Sequence, residues 1–276
     1  MKRRRERKRR GCRNFLLFWL ICGGVWFWGT FTLTTTEVTV KSDQIADPVT
    51  IVQLTDLHGY SFGEGNKYLI EKIKEADPDF IVATGDMFTA GDQDGEDVAV
   101  ALLGRLAEMY PVYSVNGEHD DDGDYEARLT EAGVDVLDYE WRDITVGSTV
   151  LRLYGITNVY YSPTFDLTNE FELDQSYFNI LAAHIANFEP FADFGMDLSL
   201  CGDSHGGQVR LPVIGGLINR GVWLPELNGE GDAAYVKGLY ELGDKKLFVS
   251  SGLGSYPVPL RFLNRPEVAV IHLEAE

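Results

Sequence analysis

Apolar residues in this chain fall into two rhythms. From residue 49 onward, short β-branched runs alternate with stretches of helical period. Val49–Leu54 predicts a strand, and Leu69, Ile70, Ile73 and Ala76 within Tyr68–Ala76 predict a helix. Phe80–Ala83 predicts a second strand, Val98–Met109 a second helix with Leu102, Leu103 and Leu106 on one face, and Val112–Val115 a third strand. A helix over Tyr125–Ala132 and a strand over Val134–Leu137 complete the series. Strand and helix in strict alternation imply a parallel sheet flanked by helices.

The second half reads differently. Gly147-Ser148 interrupts Ile144–Ile156 as a hairpin turn, and Gly243-Asp244 does the same between Tyr235–Leu242 and Lys245–Ser250. Strands are expected over Tyr177–Ala183, Leu198–Cys201 and Val268–Leu273, with a short helix over Phe188–Phe194. This half predicts a second sheet richer in antiparallel pairs.

Ahead of both lies a third pattern. Phe15–Leu33 carries no charged side chain and is rich in Phe, Trp, Leu and Gly. About 20 apolar residues span a bilayer as a helix. No Ala-x-Ala cleavage site follows, so the segment reads as an uncleaved anchor rather than a signal peptide. The expected organisation is a basic cytoplasmic head (1–14), a transmembrane anchor (15–34), a polar tether (35–48) and one domain (49–276).

Charge sharpens this division. The chain carries −19, but residues 1–14 hold nine Lys/Arg and one Glu, leaving 15 basic against 42 acidic residues elsewhere. Such an acidic body disfavours nucleic acid. The basic head suits the cytoplasmic face, where it could also hold anionic lipids, and this places the domain outside the cytoplasm. Cys201 is alone in the body, so no disulfide forms within it. No protein partner is predicted.

The strand ends carry the chemistry. Thr55-Asp56-Leu57-His58-Gly59 follows the first strand, Thr84-Gly85-Asp86 the second and Asn116-Gly117-Glu118-His119-Asp120 the third. His184 ends the 177–183 strand, and Gly202-Asp203-Ser204-His205-Gly206-Gly207 ends the 198–201 strand. Residues two apart in extended chain project to one face, so each Asp-x-His offers an oxygen and a nitrogen ligand together. Of five histidines, four stand in this setting; His272, inside the last strand, does not. Ligands on open α/β sheets gather at the carboxyl ends of the strands.

Taken in order, these motifs resemble the calcineurin-like metallophosphoesterases. The likeness is greatest to a membrane-associated bacterial branch whose last motif reads Gly-His-x-His-Gly-Gly-Gln-x-Arg-Leu-Pro. Here that motif stands as Gly202-Asp203-Ser204-His205-Gly206-Gly207-Gln208-Val209-Arg210-Leu211-Pro212. The resemblance covers roughly 49–273. It implies a four-layer α/β/β/α sandwich of two mixed sheets, and phosphoester hydrolysis by a hydroxide bridging two divalent metals. It implies Asp56, His58 and His205 on the first metal, Asp86 bridging, and His184 on the second. His119 would face the substrate oxygens, with Asp120 orienting it. A phosphodiester is preferred over a monoester, and the anchor brings lipid-linked esters into consideration.

Two positions depart from the family. Glu118 stands where Asn is usual and Asp203 where His is usual, both on the second metal. The added oxygen ligands favour a hard ion there, so Mn²⁺ or iron fits better than Zn²⁺. The site is then a working enzyme with a harder metal, one with an altered substrate, or a degenerate second site. The rival reading is a tethered metal-binding or interaction module without turnover. Gln208, Arg210 and Asn158 are candidates to touch substrate, whereas Arg261 and Arg265 read as structural ion pairs.

Overall fold

The computed structural model describes residues 2–120, 123–157, 165–219, 222–223 and 235–276. Helix α1 (Lys2–Phe31) leads into β1 (Thr34–Lys41) and β2 (Val49–Leu54). Then follow α2 (Lys67–Ala76), β3 (Phe80–Thr84), α3 (Gln93–Ala107), β4 (Val112–Val115), α4 (Tyr125–Glu131) and β5 (Asp135–Val136). The second half runs β6 (Glu140–Val146), β7 (Thr149–Gly155), β8 (Phe178–Ala182), α5 (Phe188–Phe194) and β9 (Leu198–Cys201). Two small ribbons follow, β10 (Arg210–Leu211) with β11 (Gly215–Gly216) and β12 (Ile218–Asn219) with β13 (Val222–Trp223). The chain closes with β14 (Gly238–Leu242), β15 (Lys245–Val249) and β16 (Glu267–Glu274).

Two six-stranded mixed sheets result, ordered β1-β16-β2-β3-β4-β5 and β14-β15-β9-β8-β7-β6. In the first, β2 through β5 are mutually parallel and β16 runs antiparallel to β2. In the second, antiparallel pairing is confined to the β6–β7 and β14–β15 edges, and the interior strands are parallel. The sequence overstates antiparallel character there because hairpin turns are conspicuous. The connections β7 to β8 and, through α5, β8 to β9 are long enough for parallel crossovers.

Period two within strands builds the layers. Val52 and Leu54 of β2 pack with Leu69, Ile73, Leu102, Leu106 and Leu129 from α2, α3 and α4. Ile51 faces the opposite way, joining Phe80, Val82, Leu153, Ile180, Leu200 and Phe248 between the sheets. Leu181, Leu247 and Val249 turn outward from the second sheet onto Phe188 and Phe191 of α5. These are the four layers α/β/β/α. Strands buried on both faces explain the continuous apolar runs in the sequence.

Two boundaries differ from expectation. The segment expected as a polar tether contains β1, paired in parallel with β16 from Thr34↔Glu267 to Lys41↔Glu274. Its threonines are β-branched, and Val40 alternates into the inter-sheet core. Beyond β1, Ile45 is buried, and the Thr149 hydroxyl donates to the Asp47 carbonyl at 2.6 Å. Polar composition concealed the alternation. Helix α3 begins at Gln93 rather than Val98, because the Asp92 carboxylate caps it by accepting from the Gly95 N–H at 3.1 Å.

With no tether, α1 is fastened to the domain. The Trp26 indole N–H donates to the Pro259 carbonyl at 3.0 Å, and the Arg261 N–H donates to the Thr30 hydroxyl at 3.1 Å. Arg265 donates to the Thr32 hydroxyl and the Leu33 carbonyl, and stacks over Trp28. Fully buried Arg261 donates to the carbonyls of Ser251 and Gly254. Both arginines were expected in ion pairs; the hydrogen bonds the structure gives them go to carbonyls and hydroxyls.

Candidate metal centre

Strands β2, β3, β4, β8 and β9 all deliver their carboxyl ends to one rim between the sheets. Two groups of side chains converge there. Ligand-capable atoms of Asp56, His58 and His205 lie within 4.8 Å of one another, and so do those of Asp56, Asp86 and His184. Asp56 is common to both groups, and the Asp86 Oδ2 of the second, 3.2 Å from His184 Nε2, also lies 3.8 Å from His58 Nε2 of the first. The His58 and His205 Nε2 atoms are 3.2 Å apart.

The backbone is bent to bring these groups together. Asp56, His58, Asp86, Asp203 and His205 all have φ between 48° and 71°, a left-handed conformation that residues with a Cβ rarely adopt. Such strain, about 1–3 kcal/mol per residue, persists where the surroundings over-determine it. The Asp203 N–H donates to Asp56 Oδ1 at 3.1 Å, and the Asn264 amide donates to the His205 carbonyl at 2.7 Å. Gly117 packs so closely that a Cβ on it would stand 2.2 Å from Asp86 Oδ1.

Hydrogen bonds outside the cluster fix the imidazoles. His184 Nδ1 donates to the Thr84 carbonyl at 2.8 Å, which turns Nε2 toward Asp86. His58 Nδ1 lies 3.0 Å from the Thr89 hydroxyl, which turns its Nε2 toward His205. This is how proteins orient metal-binding histidines.

Burial sets the protonation states. It pushes the Asp56 carboxyl up to about 8 and His58 down to about 4; burial, and then repulsion between the adjoining His58 and His205 rings were both to be protonated, drive His205 well below its ordinary value. Asp86 and His184 behave as a pair. Burial opposes charge on each, but their mutual attraction outweighs it, lowering the carboxyl and raising the imidazole.

The donor set fits a divalent cation. Asp56 Oδ2 and His205 Nδ1 are buried without hydrogen-bond partners, an arrangement that costs about 1–3 kcal/mol per neutral group and more for a charged one. Imidazoles and carboxyl groups closing on one another within ligand distance are what a cation requires, and its binding would displace the protons held by Asp56 and His184.

The remaining candidates divide. Asp203 borders the second group, its Oδ1 3.9 Å from His184 Nε2. Glu118 belongs to neither group; its side chain is 36% exposed, 3.7 Å from His119 Nε2. The loop explains this: the His119 N–H donates to Asp86 Oδ1 at 2.9 Å, so backbone faces the centre and Glu118 turns outward. His119 sits at the mouth, its ring 5.4 Å from that of His58.

Asp120 does not orient His119. Its carboxylate is buried and accepts from the N–H groups of Asp86, Met87, Phe88 and Gly117 at 2.6, 2.8, 3.2 and 2.9 Å. It therefore clamps two loops of the centre. The Gln208 amide donates to the Tyr256 carbonyl, and Arg210 donates to the Gly206 carbonyl at 2.8 Å, so both brace loops. Asn158 lies outside the described residues.

One contributor escaped the sequence reading. Tyr256 stacks on His58, with ring centroids 5.0 Å apart and planes 15° apart, and lies 4.6 Å from the His119 ring. Its signal was present: Gly252-Leu253-Gly254-Ser255-Tyr256-Pro257 follows the end of β15, the same context that exposed the other motifs.

The chain is similar to known proteins along most of its length. The profile of the calcineurin-like phosphoesterases matches residues 49–207. The chain belongs to that family. It is 31% identical to the uncharacterized metallophosphoesterase YkuE of Bacillus subtilis over 261 residues, covering 88% of this chain and 86% of YkuE. It is 29% identical to the phosphodiesterase YaeI of Escherichia coli over 258 residues, covering 89% of each. Among solved structures, the NAD nucleotidase of Haemophilus influenzae aligns with a TM-score of 0.44 and 16% identity over 74% of this chain and 50% of that one. Membership implies a phosphoester substrate and divalent metal binding.

Proposed function

We propose that this protein is a membrane-anchored phosphodiesterase using two divalent cations. The carrying observation is the pair of ligand groups that share Asp56, with Asp86 of the second reaching within 3.8 Å of His58 in the first. Asp56, His58 and His205 would hold one cation, and Asp86, His184 and Asp203 the other, with Asp86 between them. Bound there, the cations would polarise the phosphoryl oxygens and lower the pKa of an attacking water.

The protein's own groups do the rest. His119, at the mouth and partly exposed, is placed to give a proton or hydrogen bond to the leaving oxygen. Tyr256 forms an aromatic wall beside His58 and His119 against which an ester substituent can rest. Three carboxylates around the centre favour Mn²⁺ or iron over Zn²⁺. Since Glu118 faces outward, this preference rests on Asp56, Asp86 and Asp203.

Helix α1 carries a 20-residue apolar window, Cys12–Phe31, of which only 11% is buried, as a bilayer span requires. The basic head is assigned to the cytoplasm and the domain to the opposite side. External protease should therefore digest the domain on intact cells; protection would reverse the topology.

The enzyme reading is tested on the full chain in detergent, by metal analysis and by hydrolysis of bis-p-nitrophenyl phosphate with Mn²⁺ or Fe²⁺. Two ions per chain and turnover, both lost in Asp86→Ala, are expected. Fewer than two ions with no hydrolysis would leave the tethered binding module in its place.

A further inference from the structure

Beside the metal centre, the docking of α1 creates a second concave surface. A groove of about 600 Å³ runs between the last turn of α1 and the segment joining β2 to α2. Phe27 and Phe31 form one wall, Tyr60, Phe62 and Tyr68 the other, and Lys72 stands at the rim. This volume lies in the range of small-molecule sites, about 300–1,000 Å³. A smaller cavity of about 50 Å³ adjoins it, sharing Phe31 and Tyr60 and reaching His58 and Leu57. The Phe31 and Tyr60 rings stack at 5.9 Å, so one aromatic pair separates the groove from the space beside a candidate metal ligand.

The position of the groove says what fills it. One wall belongs to the helix assigned to the bilayer, at its last turns, where Trp26, Phe27 and Trp28 are 42–58% exposed. Aromatic residues collect at the membrane–water interface, at the level of the lipid headgroups. The groove therefore opens where acyl chains and phosphates are the neighbouring molecules. Its apolar walls suit the first, and the Lys72 ammonium suits the second.

We infer that the groove receives the acyl chain of the substrate, so that the enzyme acts on phosphodiesters bearing a long alkyl or acyl chain. The inference rests on the phosphodiesterase and membrane readings above. It gives the Phe27–Tyr68 surface a role in specificity: the chain lies along α1 while the phosphoester reaches the rim beside His58 and Tyr256.

The test compares hexadecyl p-nitrophenyl phosphate with ethyl p-nitrophenyl phosphate, using the full chain in mixed micelles with Mn²⁺ and following p-nitrophenol release. The hexadecyl ester should show the higher kcat/KM. Partition into micelles alone would also favour it, so the deciding quantity is its ratio to the ethyl ester in Ser61→Trp, which fills the groove, and in Lys72→Glu. That ratio should fall about tenfold in Ser61→Trp, a loss equivalent to about two buried methylenes, and less in Lys72→Glu. A photoactivatable phosphatidylglycerol with its diazirine at the acyl terminus, in phosphatidylcholine nanodiscs, should label peptides spanning 60–72, and less so in Ser61→Trp. Labelling with an unaltered ratio would make the groove a seat for a bystander lipid and overturn the proposal. Turnover of both esters without groove labelling would overturn it while leaving the phosphodiesterase reading standing. Hydrolysis of neither ester would remove the phosphodiesterase reading, and with it any substrate for the groove to hold.

Discussion

Asp120→Asn separates positioning from catalysis. In the wild type, Oδ2 accepts from the Asp86 and Gly117 N–H groups and Oδ1 from those of Met87 and Phe88. An asparagine can present its oxygen to only one of these pairs; its NH₂ group then faces the other two donors. Two charge-assisted bonds are lost and two buried N–H groups are stranded. At about 1–3 kcal/mol per unsatisfied buried group, offset in part by relaxation and by relief of burying the charge, a net loss of about 3 kcal/mol is expected. For a domain of this size that lowers Tm by roughly 6–12 °C. The Asp86 loop should loosen with it, so metal content falls in parallel. Differential scanning fluorimetry and metal analysis on the purified full chain read both quantities. A variant with wild-type Tm and full metal content but a much lower kcat would refute the clamp and return Asp120 to a role in catalysis.

Two further predictions concern neighbouring groups. Glu267 is buried with Lys237 Nζ at 2.9 Å; burial alone would raise its carboxyl, but Lys237 and the Ser251 N–H outweigh this and hold it below its ordinary value. The stability it contributes is thus present above an unfolded-state pKa of about 4.3 and lost as pH falls below it. Thermal scans from pH 6 to 3 should show a shallower acid decline in Glu267→Gln than in wild type, and parallel curves would contradict this assignment. Tyr256→Ala should raise KM for an aryl phosphodiester several-fold through loss of an aromatic contact worth about 1 kcal/mol, with metal content intact; an unchanged KM would place the tyrosine outside the substrate's path.

What the sequence disclosed follows from what is periodic or punctuated. The inner strands and α2, α4 and α5 announce themselves because both faces of a sheet, or one face of a helix, must be apolar. The Asp-x-His and Gly-Asp motifs are visible because glycine and strand ends bracket them. Edge strand β1 stayed hidden, since Thr34, Thr35 and Thr36 look like linker until β16 supplies a partner. The roles of Asp120, Gln208 and Arg210 were misplaced for one reason: a polar residue beside a site can serve it by holding backbone, and only coordinates reveal which atom it holds. Glu118 turned outward because its loop contributes the His119 N–H to Asp86, an orientation that residue type does not encode.

The strained ligands bear on how the centre depends on its cations. Asp120 and Asn264 hold the backbone of Asp86 and His205, and the Asp203 N–H holds the Asp56 carboxylate, through protein–protein bonds alone. Removing the metals should therefore leave the loops in place and expose a purely electrostatic cost, that of the buried Asp56 carboxyl. Burial raises its pKa to about 8, far above the unfolded value of about 3.9. Above about pH 6.5, where His58 and His205 are neutral in both states, the folded, metal-free state then binds more protons than the unfolded state, so stability falls as pH rises from there to about 8. A bound cation compensates the carboxylate and removes the fall, adding its own binding free energy to stability. The difference in Tm between metal-loaded and chelator-treated protein should accordingly widen from about pH 6.5 to pH 8. A gap that stayed constant or narrowed would mean that Asp56 does not face a cation, and the assignment of both ligand groups would fail with it.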